Sequence, residues 1–306
     1  MAYKNEKRLH AYIDKKDYMG IQTVLGGAID INYKDEQGRT PLLHVAQIIS
    51  EEGGYTFITG DDPIIKIFNH IVQSEGVDIN AKDKDGNTVL HLLTNVSINN
   101  VDSVQGMVKM YVEYDFILKA VRYLVEKRKM NPVQKNNRGV LPLHNAARRF
   151  NIDIIDLLMN NDDDDDLVNE PDANGDTSLH YAIRRIDDFF KTLIERYNAN
   201  AYSKNLKGNT ILHEAVDYAV ESFPPILEDY RLYTQIMPLV TRYKLRVDEE
   251  NKYGESPITI AREKAGGYDV VEFLEEQLEK QKQTQKKRKR DPYPSARVPT
   301  LPPSSD

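Results

Sequence analysis

The stretch RGVLPLHNAARRF, residues 138–150, decides the fold because most of it recurs five more times along the chain. The related stretches are GRTPLLHVA at Gly38, GNTVLHLLT at Gly86, GDTSLHYAI at Gly175, GNTILHEAV at Gly208 and GESPITIAR at Gly254. From Gly38 to Gly254, with Gly139 as the third, successive glycines are 48, 53, 36, 33 and 46 residues apart. Repetition at this interval indicates a chain built from stacked supersecondary units.

Each unit carries the same signals for a turn followed by two helices. An Asp or Asn near the glycine favours a tight turn with a positive φ angle, and the Thr that follows caps a helix. Small residues such as Ala146 and Ala147 let a short first helix pack closely on its neighbour. Apolar residues at helical spacing, such as Ile152, Ile155 and Leu158, predict the second helix. Because no unit can bury its apolar face alone, stacking must stabilise each one.

The pattern resembles the ankyrin repeat, in which a turn glycine, T-P-L-H-x-A-A, a second helix and a short D-V-N-like exit fill about 33 residues. The exits here are DIN at 30–32 and 78–80, MNP at 130–132, LVN at 167–169, NAN at 198–200 and RVD at 246–248. The resemblance covers roughly residues 3–280 and implies an all-α solenoid of helix-turn-helix units with short β-turn fingers. Departures are Leu43 in place of His, Leu141 in place of Thr, and Ser256 and Thr259 in a degenerate last copy.

Three segments follow from this pattern. Residues 1–34 are predicted to form an N-terminal helical capping repeat, residues 35–280 about six repeats, and residues 281–306 a disordered, basic and proline-rich tail. Repeats one, two and five carry extra residues between their two helices, which places the insertions on one edge of the solenoid. The acidic run at residues 161–166 is read as a solvated loop, with weak electrostatic recognition as the alternative.

Charge and composition exclude several classes of protein. The net charge is −7, but residues 280–306 contain eight basic and two acidic side chains, a local +6, which leaves −13 for the rest. Cysteine is absent, so disulfides and thiolate metal sites are excluded. The charged N-terminus lacks the apolar region of a secretory signal peptide, so none is expected, and no apolar run reaches the roughly 18–20 residues that a membrane span needs. With no phosphate-binding loop, nucleophile elbow or zinc-protease motif, the sequence predicts a non-enzymatic protein without cofactor or metal.

Four histidines occupy one repeat position: His91, His144, His180 and His213. Equivalent positions in successive layers lie about 10 Å apart, too far for a shared metal or acid–base site. The resemblance implies that this histidine is structural and hydrogen-bonds the backbone joining successive turns. His44 is one step out of register, and His10 and His70 are expected to be isolated.

Arginines just beyond the shared pattern are the best candidates for partner binding. Repeat three places Arg148 and Arg149 there, and repeat four places Arg184 and Arg185 at the matching positions. The resemblance puts the end of the first helix on the concave face, so these four guanidinium groups are predicted to lie together. Added candidates are Arg138 and Lys207 at finger tips and the aromatic Tyr181 and Tyr218. The alternative is that the arginines are solvated or pair with Asp153, Asp187 and Asp188.

The basic run Lys286, Lys287, Arg288, Lys289 and Arg290 resembles a monopartite nuclear localisation signal. This resemblance implies binding to an importin-type receptor. The helix starting near Tyr268 is predicted to run into this segment and fray there. Non-specific attraction to nucleic acid or anionic membranes, or a solvated helix end, are the alternatives.

The sequence therefore predicts a monomeric scaffold that binds a protein partner through the concave face, at an acidic or phosphorylated segment, in the nucleus, the cytoplasm or both. One alternative is a secreted pathogen effector that sequesters or tethers a protein inside a host cell. Another is weak nucleic-acid or chromatin binding through the basic tail, which the acidic body disfavours.

Overall fold

The computed structural model describes residues 2–52, 62–96, 115–161, 166–184, 188–220, 231–264 and 268–290. The chain divides into two compact units, Met1–Glu214 and Ala215–Asp306. The described residues are helical, with no strand among them and one isolated bridge between Lys204 and Thr210. The all-α architecture predicted from the repeats is confirmed.

The helices of the first unit alternate with the turns that the repeats predict. They are α1 (Ala2–Asp14), α2 (Tyr18–Leu25), α3 (Pro41–Glu52), α4 (Pro63–Gln73), α5 (Val89–Thr94), a helical segment 115–122 continued by the π-helical turn Tyr123–Lys127, α6 (Pro142–Arg149), α7 (Ile152–Met159), the 3₁₀ turn Leu167–Asn169, α8 (Ser178–Ile183) and α9 (Phe190–Tyr197). The next helix, α10 (Ile211–Val220), spans the boundary between the two units.

The first helices of successive repeats stack on one another, α3 on α5, α5 on α6 and α6 on α8. Three of these first helices also contact their own second helices, α3 with α4, α6 with α7 and α8 with α9. Helix α1 packs on α2 and on α3. Small side chains permit the close stacking, since Ala146, Ala147 and Ala182 are almost fully buried.

A five-residue turn, which we call a finger turn, precedes each first helix. The finger turns of the first unit are residues 35–39, 83–87, 136–140, 172–176 and 205–209. In each, the leading Asp or Asn side chain accepts hydrogen bonds from the backbone N–H groups two and four residues later, as Asn136 Oδ1 does from Arg138 and Val140 at 2.9 and 3.0 Å. The D/N-x-x-G spacing is therefore an Asx turn closed by a positive-φ glycine.

Backbone hydrogen bonds join consecutive finger turns directly. The N–H of Asn137 donates to the carbonyl of Asp85 at 3.0 Å, and that of Ala173 to the carbonyl of Arg138 at 2.9 Å. The same bond recurs from Leu206 to Asn174 at 2.7 Å. The four finger turns between residues 83 and 209 are thus joined into one continuous edge.

The second unit contains the π-helical turn Leu232–Ile236, α11 (Met237–Thr241), α12 (Pro257–Lys264) and α13 (Tyr268–Arg290). A finger turn at residues 251–255 precedes α12 and uses the same Asx hydrogen bonds from Asn251. In the degenerate last repeat Thr259 Oγ1 accepts the N–H of Ser256 at 2.7 Å, the bond that a histidine ring accepts elsewhere. The last repeat therefore keeps the geometry of the finger turn, with Thr259 in the place of the histidine of the other repeats.

Helix α13 runs through Arg290, so residues 281–290 are helical within the segment predicted to be disordered from residue 281. The helix is 23 residues long but strongly charged, and none of the described helices is long and apolar enough to cross a membrane. The predicted insertions of repeats one, two and five, residues 162–165 of the acidic run, Arg185 and residues 291–306 lie largely or wholly outside the described residues.

Candidate functional site

The recurring histidines hold successive repeats together through backbone hydrogen bonds. His91 Nδ1 accepts the N–H of Thr88 at 3.1 Å, and its Nε2 donates to the carbonyl of Val140, in the next finger turn, at 2.9 Å. His144 repeats this with Leu141 N–H at 3.1 Å and the carbonyl of Glu170 at 2.9 Å. Leu141, which replaces the threonine of the other repeats, lacks the hydroxyl that contacts the histidine ring, but its backbone N–H still donates to His144 Nδ1.

Burial keeps these rings neutral. It lowers the pKa of His91 and of His144 to about 4 each, and it lowers the pKa of His180 as well. Both ring nitrogens of His91 and His144 are occupied by backbone groups, which is the arrangement of a structural residue. The predicted structural role of the repeat histidine follows directly from this geometry.

Arg148 and Arg149 lie at the end of α6 and converge on one oxygen atom. Arg148 Nη2 lies 2.6 Å from Asn95 Oδ1, and Arg149 Nε and Nη2 lie 3.3 and 3.2 Å from the same atom. Both arginine side chains are half-buried. Two cationic groups are therefore held side by side by a neutral amide of the preceding repeat.

Arg184 has a different environment from the one that the sequence predicts. Its Nη2 lies 2.6 Å from Asp176 Oδ2 and 3.5 Å from Glu214 Oε2, and its guanidinium carbon lies 5.5 Å from the centre of the Tyr181 ring. The sequence suggests Asp153, Asp187 and Asp188 as alternative ion-pair partners of the arginines. The described contacts instead pair Asp188 with Lys191 at 3.1 Å.

Tyr181 is buried within the same network rather than presented to a partner. Its hydroxyl donates to Asp172 Oδ2 at 2.9 Å, and its ring stacks on His144 with centroids 5.0 Å apart. Burial and the bond to Asp172 raise the pKa of Tyr181. Tyr181 is only 8% exposed and belongs to the core of this layer.

The remaining predicted residues lie in separate places. Arg138 and Lys207 are exposed on the finger turns at 136–140 and 205–209. Tyr218 belongs to the second unit, where the guanidinium of Arg231 lies 5.7 Å from its ring centre. Arg185 is outside the described residues.

Phe150 is a residue that the sequence reasoning missed although it ends the quoted stretch. It follows Arg149, adopts the left-handed conformation at φ 61° and remains 45% exposed. Its ring packs edge-to-face on Phe189, with centroids 4.6 Å apart. A large aromatic side chain after two basic residues was the available signal.

His10 and His44 correct a second expectation. The sequence predicts His10 to be isolated, yet its Nδ1 lies 2.9 Å from His44 Nδ1 because α1 packs on α3. His70 contacts Tyr18, with ring centroids 5.9 Å apart.

The family model for ankyrin repeats, in three copies, matches residues 107–205. Solved structures agree on the fold. The chain resembles the ankyrin repeat domain of Bcl-3, a member of the IκB protein family, at a TM-score of 0.53 and 17% identity, covering 87% of this chain and 97% of that one. It also resembles a chain of the Bdellovibrio bacteriovorus predatory endopeptidase in complex with immunity protein, at a TM-score of 0.51 and 18% identity, covering 74% and 97%.

Curated relatives match about half of the chain. A fowlpox virus ankyrin repeat protein is 29% identical over 160 residues, covering 50% of this chain and 42% of the relative. The dog transient receptor potential cation channel subfamily V member 1 is 25% identical over 171 residues, covering 51% of this chain and 18% of the channel. The chain thus spans less than half the length of either relative.

Stacked helix pairs, finger turns and backbone-bonded histidines define a repeat scaffold of the kind that binds other proteins. Residues 107–205 match the ankyrin-repeat family, and the fold is similar to that of a solved ankyrin repeat domain. The fold class predicted from the sequence is confirmed, and the scaffold is of a type that ordinarily serves as a protein-interaction module without catalysis.

Proposed function

We propose that this chain binds an acidic or phosphorylated segment of a protein partner through Arg148, Arg149 and Phe150, which we call the arginine patch. The observation that carries the proposal is the convergence of both guanidinium groups on Asn95 Oδ1. The side-chain amide of Asn95 accepts from both guanidinium groups and so orients them side by side. A carboxylate or phosphate beside them gains charge-assisted hydrogen bonds to side chains that are already positioned.

The surroundings of the arginine patch fit a binding surface. Phe150 supplies exposed aromatic area next to the cations, and Arg and aromatic residues are enriched among interface hot spots. Arg138 and Lys207 are exposed on two finger turns and add positive charge that a bound acidic partner could contact. Arg184 and Tyr181 are assigned a supporting role, because they are engaged with Asp176 and Asp172.

Replacing both Arg148 and Arg149 with Glu is expected to abolish binding of acidic peptides. Each charge-assisted hydrogen bond contributes roughly 1.5–3 kcal/mol, so losing two and adding repulsion should weaken binding at least about 100-fold. The measurement is fluorescence anisotropy of the full chain against an array of Asp/Glu-rich peptides, each with and without phosphoserine.

The matched control is Arg122→Glu, an exposed arginine that pairs with Glu126 at 3.0 Å on another helix. It changes the net charge without touching the arginine patch, so peptide binding should survive. A second double variant, Arg148→Gln with Arg149→Gln, removes both positive charges without introducing negative ones. It should also lose peptide binding while the protein stays folded. Retained affinity in both double variants, with a wild-type melting temperature, contradicts the proposal.

We further propose that Lys286, Lys287, Arg288, Lys289 and Arg290 act as a nuclear localisation signal for an importin-type receptor. The supporting observation is that these residues form the last turns of α13, next to a chain that is otherwise acidic. A receptor that reads extended basic side chains must unwind this end of the helix. The proposed location is therefore the nucleus as well as the cytoplasm.

A fusion of residues 268–306 to a fluorescent protein is expected to accumulate in the nucleus of a eukaryotic cell. The fusion in which all five basic residues are Ala should spread evenly through the cell, because the receptor loses its charge contacts. A control with Lys280→Ala and Lys282→Ala removes two positive charges from the same helix and should stay nuclear. Even distribution of the unaltered fusion would overturn this assignment.

Similarity to the fowlpox virus protein favours a second context for the same surface. In that context the chain is a pathogen effector that sequesters or tethers a host protein, and the arginine patch contacts the host target. Direct binding of nucleic acid by the tail is the weaker candidate, since the rest of the chain carries −13.

A further inference from the structure

Three side chains with metal-binding atoms converge beside α1, away from the arginine patch. Within the described parts of the chain, His10, Asp35 and His44 bring one ligand atom each to within 4.8 Å of one another. They line a pocket of about 460 Å³ that α1, α3 and the finger turn at 35–39 form together. Nothing in the repeat pattern requires this cluster, because the repeat histidine lies one position earlier than His44.

The outward-facing nitrogen of each ring is fixed as a donor. His10 Nε2 lies 3.0 Å from the backbone carbonyl of Tyr33, and His44 Nε2 lies 2.9 Å from a carboxylate oxygen of Asp14. A carbonyl or an ionised carboxylate can only accept a hydrogen bond. Both Nε2 atoms therefore carry hydrogen, and both Nδ1 atoms of the neutral rings present lone pairs.

Those two lone pairs face each other. The Nδ1 atoms are 2.9 Å apart, with the rings stacked at a centroid distance of 5.1 Å. Two unprotonated nitrogens at this distance repel unless a cation lies against both. A shared proton or a metal ion can supply that cation, and the two are separated by the titration described below.

We propose that His10 Nδ1, His44 Nδ1 and a carboxylate oxygen of Asp35 bind a divalent transition-metal ion, of which zinc fits best. Nitrogen and oxygen donors are ordinary zinc ligands, and bonds of 2.0–2.1 Å in a tetrahedron place the donor atoms roughly 3.3 Å apart. The observed separations bracket this value, at 2.9 Å between the two nitrogens and 3.8 Å from His10 Nδ1 to Asp35 Oδ2. A water molecule or a partner side chain in the pocket completes the fourth position.

The contacts of the two Nε2 atoms match the outer shell of a metal site. Histidine ligands ordinarily donate their other ring N–H to a carbonyl or a carboxylate, which fixes the tautomer and strengthens the ligand. Tyr33 and Asp14 supply one of each. A pair of histidines held only for packing needs neither the matching tautomers nor the facing nitrogens.

Neighbouring charges set the strength of the site. Arg39 donates to Asp35 Oδ2 from Nε and Nη2, both at 2.8 Å, and Lys7 and Lys34 also line the pocket. Asp35 Oδ1 also accepts the backbone N–H groups of Gln37 and Arg39 at 3.0 and 2.8 Å. These four hydrogen bonds occupy the lone pairs of the carboxylate, so a metal ion on Oδ2 must displace one of the two contacts from the Arg39 side chain.

Isothermal titration of the untagged full chain with ZnCl₂ at neutral pH is expected to give one bound equivalent. His10→Gln and His44→Gln should each abolish this equivalent. Asp14→Asn should weaken binding about 10–100-fold, the usual effect of losing an outer-shell partner. The Asp14 carboxylate is 63% exposed, so its variant tests the site without disturbing a buried residue.

Two controls keep the outcome decisive. Glu36→Gln removes another carboxylate from the same pocket, and His70→Gln removes a histidine outside it, so both should bind zinc as the wild type does. Cobalt(II) should give the visible absorption bands of a tetrahedral site in the wild type and lose them in His10→Gln or His44→Gln. A wild type that binds no zinc overturns the proposal and leaves the histidine pair sharing a proton; variants that bind zinc unchanged overturn it equally.

Discussion

Acidification from pH 7.5 to pH 5 is expected to lower the free energy of unfolding of the first unit steeply. Burial lowers the native pKa of His91 and of His144 to about 4, whereas histidine in the unfolded chain titrates near 6.5. The unfolded chain therefore binds more protons than the native one between these values, and stability rises with pH there. Each ring contributes a slope of up to about 1.4 kcal/mol per pH unit.

The structural reason is that a proton on Nδ1 would face a backbone N–H group instead of a hydrogen-bond acceptor. In His91 that nitrogen already accepts the N–H of Thr88, while Nε2 donates to Val140. Protonation sets two donors against each other in a buried site. Because domain stabilities are typically only about 5–15 kcal/mol, two such rings remove a large share over two pH units.

Urea unfolding followed by circular dichroism at several pH values measures this slope. The double variant His91→Gln with His144→Gln is the matched comparison, since glutamine keeps one acceptor and one donor but does not titrate. It should be less stable at pH 7.5 and lose less stability on acidification. Equal slopes for wild type and variant would show that these rings do not control acid stability.

The repeat architecture could be predicted from sequence because its determinants are local. The Asx turn needs a leading Asp or Asn and a glycine three residues later, and both stand within five residues, as Asn136 and Gly139 do. The helix that follows needs only short-range periodicity. Six copies of the same local signal then predict the stack.

The chemistry between layers could not be predicted in the same way. His10 meets His44 across 34 residues, because α1 lies against α3 and the rings share a pocket. Asn95 reaches Arg148 across 53 residues. Such pairs depend on layer spacing and helix rotation, which the repeat pattern does not encode residue by residue.

Arg184 illustrates the limit of judging by proximity. Carboxylates near it in sequence were weighed as partners, but Asp176, at the base of the preceding finger turn, and Glu214, in the next layer, are the ones that contact it. The finger turn delivers Asp176 beneath the helix that carries Arg184. Asp176 is the last residue of the finger turn that precedes the helix ending beside Arg184. Taking this position in the repeat into account would have predicted the contact between Arg184 and Asp176.

Gly139→Ala is expected to destabilise the first unit far more than Gly76→Ala. Both glycines have positive φ, 71° and 76°, so both variants carry the left-handed penalty of roughly 1–2 kcal/mol. At Gly76 an added Cβ meets nothing within 4 Å, whereas at Gly139 it would lie 2.7 Å from the backbone nitrogen of Ala173. The next finger turn must therefore move, and it cannot do so while the Ala173 N–H donates to Arg138.

The difference between the two variants isolates the contact between finger turns. Loss of the backbone bond costs roughly 0.5–1.5 kcal/mol beyond the shared φ penalty, and displacement of the next finger turn adds to this. Gly175→Ala should behave like Gly139→Ala, because its Cβ would lie 2.7 Å from the nitrogen of Leu206. Urea midpoints of the three variants give the measurement. If all three lose the same stability, close approach of the finger turns contributes nothing, and the glycines are required only for their φ angle.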